Sequence, residues 1–166
     1  MQRFRQLSSF TFASLCLLAG ATACKDDAVA PPTPAAITPV GQASFTSLVG
    51  EVQSVRVLVT DASARPMANQ TVTFNVVDGG GTIAPTSTTT AANGEASATW
   101  TLGTTTGLQR AQAQVTGVSG ALTFIATALP GAPATVAVSA GDNQSAPAGS
   151  MLGTSPAVVI KDRFGN

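Results

Sequence analysis

The chain of 166 residues has no histidine and no tyrosine, and it has only one tryptophan and two cysteines. Without histidine, neither a Ser-His-Asp nor a Cys-His catalytic arrangement can be assembled, and a histidine-containing zinc site is excluded as well. Charged residues make up only 10% of the chain, and its basic and acidic side chains balance. Because no basic patch is present, nucleic acid is not expected as a partner.

Carboxylates are the remaining candidates for chemistry, and they are widely separated along the chain. Acids between strands are typically solvated turn residues, and this is the interpretation we adopt. Their spacing matches neither a calcium-binding loop nor the paired acids of a glycoside hydrolase. We therefore expect no catalytic, cofactor-binding or metal site in this segment. The acids concerned are Glu51, Asp61, Asp78, Glu95, Asp142 and Asp162.

Alternation of apolar and polar residues is the main structural signal. It predicts half-buried strands at residues 54–60 and 71–76. A threonine-rich passage at residues 82–90 is interrupted by a proline, which predicts a short edge strand. The Asn-Gly pair that follows predicts a hairpin turn into residues 95–102. In that last strand, the inward-facing residues are predicted to be Ala96, Ala98 and Trp100.

About seven short strands are predicted over residues 36–128, which is the number expected of an immunoglobulin-like β-sandwich. A partial repeat follows this unit. Residues 37–40 are echoed by residues 136–139, displaced by 99 positions, and residues 57–61 are echoed by residues 158–162, displaced by 101. We therefore predict an all-β chain in which one complete sandwich is followed by an incomplete second copy, held end to end by a short proline-containing junction. We expect the sequence to be a fragment of a longer protein.

The amino terminus has the features of a secretory signal peptide. Arg3 and Arg5 give it a positive start, and residues 7–20 form an apolar run that is short for a membrane span. Small residues then precede Cys24, as they do at a signal cleavage site. Removal of residues 1–23 leaves six basic and eight acidic side chains. The chain is therefore expected to be exported to a bacterial cell envelope, with the outer membrane or the cell surface as its location.

Cys24 is the residue to which we assign a chemical role, as a site of lipid attachment. The segment before it resembles a bacterial lipobox, although Ala21 stands where a larger aliphatic residue is usual. Cys16 would be lost with the signal, so Cys24 would be the only thiol of the mature chain. A lipid on Cys24 would make the membrane a partner. The alternative is a free cysteine at an ordinary secretory cleavage site.

Five segments of the chain resemble a known family. They lie at residues 57–66, 71–76, 79–82, 88–96 and 100–103, in the family's order and spacing. Together they are similar to the bacterial immunoglobulin-like domain of the first group, which is found in the adhesins invasin and intimin. The resemblance implies a module that forms rigid rods and projects a binding tip from the cell surface.

The predicted organisation is a signal peptide at residues 1–23, a proline-rich tether at 24–35, a complete domain at 36–129 and a truncated one at 130–166. We expect a lipid-anchored structural or adhesive surface protein that has no catalysis in this segment. Its partner would be a protein or glycan on a host or neighbouring cell. In the alternative, the repeats are spacers of an exported enzyme or glycan-binding protein whose functional module lies beyond residue 166.

Overall fold

The structure is a computed structural model that describes residues 31–166, and these residues form strands, turns and loops without a helix. Accordingly, this part of the chain has no helix of the length and apolarity needed to cross a membrane. The predicted signal peptide, Cys24 and most of the tether lie outside the described residues. The strands are β1 (Ala36–Pro39), β2 (Ser44–Leu48), β3 (Val52–Thr60), β4 (Thr71–Asp78), β5 (Gly81–Ala84), β6 (Ser87–Thr89), β7 (Glu95–Leu102), β8 (Gly107–Val115), β9 (Leu122–Leu129), β10 (Pro133–Ala140) and β11 (Ala157–Asp162).

The first nine strands form the two sheets of a sandwich. One sheet has the order β1-β3-β7-β5 and the other has the order β2-β9-β8-β4-β6. Strands β2 and β9 run parallel to each other, whereas the other paired strands of the sandwich are antiparallel. The predicted immunoglobulin-like sandwich is confirmed.

The sandwich has nine strands where the sequence predicted about seven. Strand β2 was missed because it is short and its residues are mostly small and polar. The threonine-rich passage forms two strands rather than one, since the chain changes sheets around Pro85. Strand β5 pairs with β7 in one sheet, and β6 pairs with β4 in the other. Both lie at sheet edges, as predicted for this passage.

The core lies between the two sheets and contains the residues that alternation placed there. Val57, Val59 and Trp100 are fully buried, and Phe74 is 2% exposed. The Trp100 ring meets Phe45 edge to face, with 5.9 Å between the ring centroids. The buried indole N–H has no hydrogen-bond acceptor among residues 31–166. Trp100 therefore contributes to the core by packing, not by a polar contact.

Strands β10 and β11 form a separate two-stranded sheet, which repeats the β1–β3 pair. Val136 pairs with Ile160, as Ile37 pairs with Val59. The first members of these pairs are 99 residues apart in the sequence, and the second members are 101 apart. The second sheet therefore has the register of the β1–β3 pair, which is what a second copy would have. It lacks the other strands of the sandwich within the described range, and Val136 and Ile160 are 67% and 56% exposed.

Candidate functional site at the distal end of the sandwich

The end of the sandwich at which β9 finishes and the second sheet begins has several connected polar contacts. We call it the distal end. It comprises the β2–β3 turn at residues 49–51, the β4–β5 turn at residues 79–80 and the β7–β8 loop at residues 103–106. These segments lie together because each one joins strands that end at the same side of the sandwich.

A buried glutamine holds the β7–β8 loop in place. The Gln109 side chain is fully buried, and its Oε1 accepts a hydrogen bond of 2.7 Å from the Gly103 N–H. Its amide nitrogen donates to the carbonyl oxygen of Thr105 at 2.8 Å and to that of Gly103 at 3.3 Å. A buried amide is stable only when such partners are present. The loop and the glutamine therefore fix each other.

Glycine is required beside this amide. Gly79 has a φ of 82°, and a Cβ atom at this position would lie only 2.3 Å from Cγ of Gln109. A Cβ atom on Gly103 would similarly lie 2.1 Å from the carbonyl oxygen of Gly79. The glycine-rich β4–β5 turn therefore allows the β7–β8 loop to approach it closely. This gives the turn a packing role.

Glu51 stabilises the β2–β3 turn from within. Its carboxylate accepts hydrogen bonds from the Ser47 hydroxyl and, at 3.3 Å, from the Leu48 N–H. The bond from Ser47 is the main reason that the pKa of Glu51 lies below its ordinary value. The Gly50 N–H donates to the carbonyl oxygen of Gly103 at 3.1 Å, which connects this turn to the β7–β8 loop. The β2–β3 turn and the β7–β8 loop are thus hydrogen-bonded to each other, while the β4–β5 turn packs closely against the β7–β8 loop.

Residues 162–166, which start at the last residue of β11, form a loop that we call the docking loop. It is organised by Asp162, which is 4% exposed. One carboxylate oxygen accepts from the N–H groups of Phe164 at 2.8 Å and Asn166 at 3.0 Å. The other accepts from the Gly131 N–H and from the Asn166 side-chain amide, both at 2.8 Å. Every donor except Gly131 therefore belongs to the loop itself.

The electrostatics of Asp162 follow from these contacts. Burial alone would raise the pKa of this carboxyl, because it removes the charged form from water. The hydrogen bonds from Asn166, Gly131 and Phe164 oppose this effect and outweigh it, so that the pKa of Asp162 is held well below its usual range. The carboxylate is therefore ionised at neutral pH, when it accepts all four hydrogen bonds.

The docking loop contacts the distal end of the sandwich directly. The Asn166 amide nitrogen donates to the carbonyl oxygen of Thr104 at 2.9 Å, and its Oδ1 accepts from the Thr106 N–H at 3.4 Å. The Phe164 ring packs against the β2–β3 turn, since a Cβ atom on Gly50 would lie 3.5 Å from it. The Arg163 guanidinium lies 4.5 Å from the centre of the same ring. The second sheet is consequently joined to the sandwich by contacts as well as by the chain.

The first copy contains a loop of the same construction after β3. Asp61 is 7% exposed, and one of its oxygens accepts from the N–H groups of Ser63 at 2.8 Å and Arg65 at 3.0 Å. The hydrogen bond from the Arg65 N–H is the main cause of the lowered pKa of Asp61. Its other oxygen accepts from Nε of Arg65 at 2.9 Å and lies 2.8 Å from Nη2. Both loops have a positive φ at their fourth residue, Ala64 or Gly165.

The expectation that all the acids are solvated turn residues is wrong for Asp61 and Asp162. Both are buried, because loop N–H groups replace their water. Glu51, Asp78 and Asp142 are exposed, as expected. Glu95 is partly buried beside Arg56, with which it forms an ion pair. Within residues 31–166, no three acidic or cysteine side chains are grouped so that they could hold a metal ion.

Comparison with known proteins yields structural similarity only. No protein-family model and no curated protein matches the chain. FdeC, an Escherichia coli adhesin, matches with 19% identity and a TM-score of 0.54, over 82% of this chain and 43% of that one. The D00-D0 domain of intimin matches with 20% identity and a TM-score of 0.48, over 60% of this chain and 48% of that one.

Invasin, described as a bacterial integrin-binding protein, matches with 24% identity and a TM-score of 0.46, over 79% of this chain and 26% of that one. The chain thus spans less than half the length of each of these structures. At the level of fold, the predicted invasin- and intimin-type immunoglobulin-like domain is confirmed, and the match to FdeC is the one that supports this.

Proposed function

We propose that this chain is part of a bacterial cell-surface protein in which stacked immunoglobulin-like units serve as a structural or adhesive module. The observation that carries the proposal is the contact between the docking loop and the distal end. A module that displays something away from a surface must resist bending between its units. Hydrogen bonds from Asn166 and Gly131, added to a short linker, supply such resistance.

The position of the module in the cell follows from the amino terminus. In the proposal, residues 1–23 are removed on export, and Cys24 carries a lipid that holds the chain in the outer membrane. Residues 24–35 then separate the membrane from the first unit at 36–129, and residues 130–166 begin the next unit. This arrangement is supported by the sequence features of the signal peptide and by the absence of a second cysteine from residues 25–166.

The proposed partner is a protein or glycan on a host or neighbouring cell, and the proposed segment has no catalysis of its own. FdeC is an adhesin and invasin binds integrins, and the fold of this chain is consistent with service in a protein of that kind. The described acids have structural contacts in turns and ion pairs. Hydrolysis of a substrate by purified residues 24–166 would contradict the non-catalytic role.

The anchor is tested by expressing the native chain and Cys24→Ala in a bacterium that processes lipoproteins. The native chain should incorporate labelled palmitate, accumulate as a precursor under globomycin and sediment with the outer membrane. Cys24→Ala should lose the label and leave the membrane fraction. Cys16→Ala is the matched control and should retain the label, because Cys16 lies within the cleaved signal. Cleavage of Cys24→Ala at the same bond, together with membrane retention, would refute the anchor.

Display at the surface is tested separately on intact cells. Protease added outside should remove the immunoglobulin-like units of the native chain, whereas a periplasmic marker should stay intact. Protection of the units until the outer membrane is opened would place the protein inside the envelope. That result would refute the surface role while leaving lipid attachment untouched.

A further inference from the structure

The docking loop and the Asp61 loop have the same backbone hydrogen bonds but different environments. In each loop, the first and fifth residues are joined by a backbone hydrogen bond of 3.0 Å, from Asp61 to Arg65 and from Asp162 to Asn166. The docking loop contacts another unit, whereas the contacts of the Asp61 carboxylate are made within its own loop. The difference must therefore lie in the side chains and in the segment that precedes each copy.

The fifth residue of the loop is the first difference. Asn166 has two amide hydrogens and one acceptor oxygen, and it uses them on Asp162, Thr104 and Thr106. The Arg65 side chain has donors only. Its Nε and Nη2 atoms both contact the same carboxylate oxygen of Asp61. Arginine at the fifth position uses its donors on the acid of its own loop. Asparagine also donates to the acid of its loop, and it has a second amide hydrogen and an acceptor oxygen for contacts with a neighbouring unit.

The segment before the first strand is the second difference. Gly131 donates its N–H to Asp162 at 2.8 Å, which connects the linker to the docking loop. The residue that lies 99 positions earlier in the sequence is Pro32. Proline has no N–H and cannot make this bond. The two differences act in the same direction, since Asp61 receives its second pair of contacts from Arg65 and needs no donor from the linker.

We propose that the fifth loop residue, together with the linker residue, decides whether a unit docks on the unit before it. Asn166 and Gly131 make residues 162–166 a binding site for the distal end of a preceding immunoglobulin-like unit of this chain. Arg65, in contrast, occupies the Asp61 carboxylate from within the loop, so the Asp61 loop has no such binding site. The inference rests on the proposed function, because it assigns residues to the stacking of units that this function requires.

The distal end has the chemistry that such a loop recognises. It offers a backbone carbonyl and a backbone N–H at Thr104 and Thr106, on a loop held by the buried Gln109 amide. It also offers the β2–β3 turn at Gly50, against which the Phe164 ring packs. The recognised surface is mostly backbone in a fixed geometry. The same recognised surface can therefore be present in immunoglobulin-like units whose side chains differ.

The test exchanges the deciding residues between the loops in residues 24–166. Asn166→Arg gives the docking loop the residue of the Asp61 loop, and Gly131→Pro gives the linker the residue found before the first copy. Arg65→Asn is the matched control, because it changes the other loop in the opposite direction. Nitrogen-15 relaxation reports whether β10 and β11 tumble with the sandwich, and amide exchange reports on the Gly131 N–H.

In the native chain and in Arg65→Asn, the amides of β10 and β11 should show the correlation time of the sandwich. In Asn166→Arg, the Gly131 amide should exchange about tenfold faster, and β10 and β11 should gain independent nanosecond motion. In Gly131→Pro, the same motion should appear. Unchanged exchange and tumbling in Asn166→Arg, with the sandwich folded, would overturn the inference.

Asn166→Arg could also melt the β10–β11 sheet, and cross-strand contacts between Val136 and Ile160 would reveal this. In that case Gly131→Pro is the deciding variant, because residue 131 lies outside β10 and β11 and its replacement does not change either strand. Independent motion of an intact second sheet in this variant supports the inference, and motion locked to the sandwich overturns it. Either result leaves the palmitate labelling of Cys24 unaffected, so failure of the joint can be distinguished from failure of the proposed anchor.

Discussion

The β1–β3 pair of the sandwich and the β10–β11 pair of the second sheet have the same register but different burial. Val57 and Val59 are fully buried, while the equivalent Val158 and Ile160 are 60% and 56% exposed. An apolar strand is therefore not buried by its own sequence, since burial comes from the strands that cover it. In the sandwich these are the strands of the facing sheet, which the second sheet lacks within the described range.

The largest loss of stability is expected from a change in the core of the sandwich. Trp100→Ala should destabilise the sandwich by about 3–5 kcal/mol, because it leaves a cavity the size of an indole. Trp100→Phe is the matched control and should cost much less, since the indole N–H has no acceptor among the described residues. Urea unfolding monitored by circular dichroism measures both. Equal losses in the two variants would show that the indole N–H is important.

The comparison between the two pairs is tested directly by equivalent truncations. Val59→Ala should lower the free energy of unfolding of the sandwich by about 2 kcal/mol, because it removes packed methyl groups from a site without solvent. Ile160→Ala should change the stability by less than about 0.5 kcal/mol, since the side chain is mostly in water. Denaturation of both variants under the same conditions gives the difference. A large loss at Ile160 would mean that the second sheet is covered in solution.

A smaller effect is expected from acid, and it is confined to the joint. The pKa of Asp162 is lowered in the folded chain, so the stability that this acid provides is complete above its unfolded pKa of about 4. This stability is lost progressively as the pH falls below about 4 towards the folded value. The protection of the Gly131 amide, corrected for intrinsic exchange, should therefore be constant from pH 7 to pH 5 and decrease at lower pH.

Asp162→Asn is the control for the acid effect. It cannot ionise, so its Gly131 protection should be low at all pH values and should lack the acid-dependent decrease. The same decrease in this variant and in the native chain would assign the acid sensitivity to another group.

Much of the sandwich was predictable because its signals are local. The alternation around Val57 and Phe74 and the inward position of Trp100 depend only on the two-residue period of a strand. Strand β2 was not predicted, because its alternation of apolar and polar residues is weak and its partner, β9, is far away in the sequence. The burial of Asp162 was missed for a similar reason, since one of its donors, Gly131, is 31 residues away.

Two signals for the distal end were nevertheless present in the sequence. Gln109 is in phase with the inward-facing Ala111, Ala113 and Val115, which marks it as a buried polar residue on β8. Asp61 and Asp162 occupy equivalent positions of the repeat, so their shared structural role could have been inferred from the echo alone. The contact between Asn166 and Thr104 could not, because it joins two loops whose residues are 62 positions apart in the sequence.

The central claim is that the docking loop holds the second sheet in a fixed orientation on the sandwich. Residual dipolar couplings of the native residues 24–166 in an aligning medium test it most directly. The claim predicts that one alignment tensor fits the amides of the sandwich and those of β10 and β11 together, with the relative orientation found in the structure. Two tensors of clearly different magnitude, with β10 and β11 the less ordered, would contradict it.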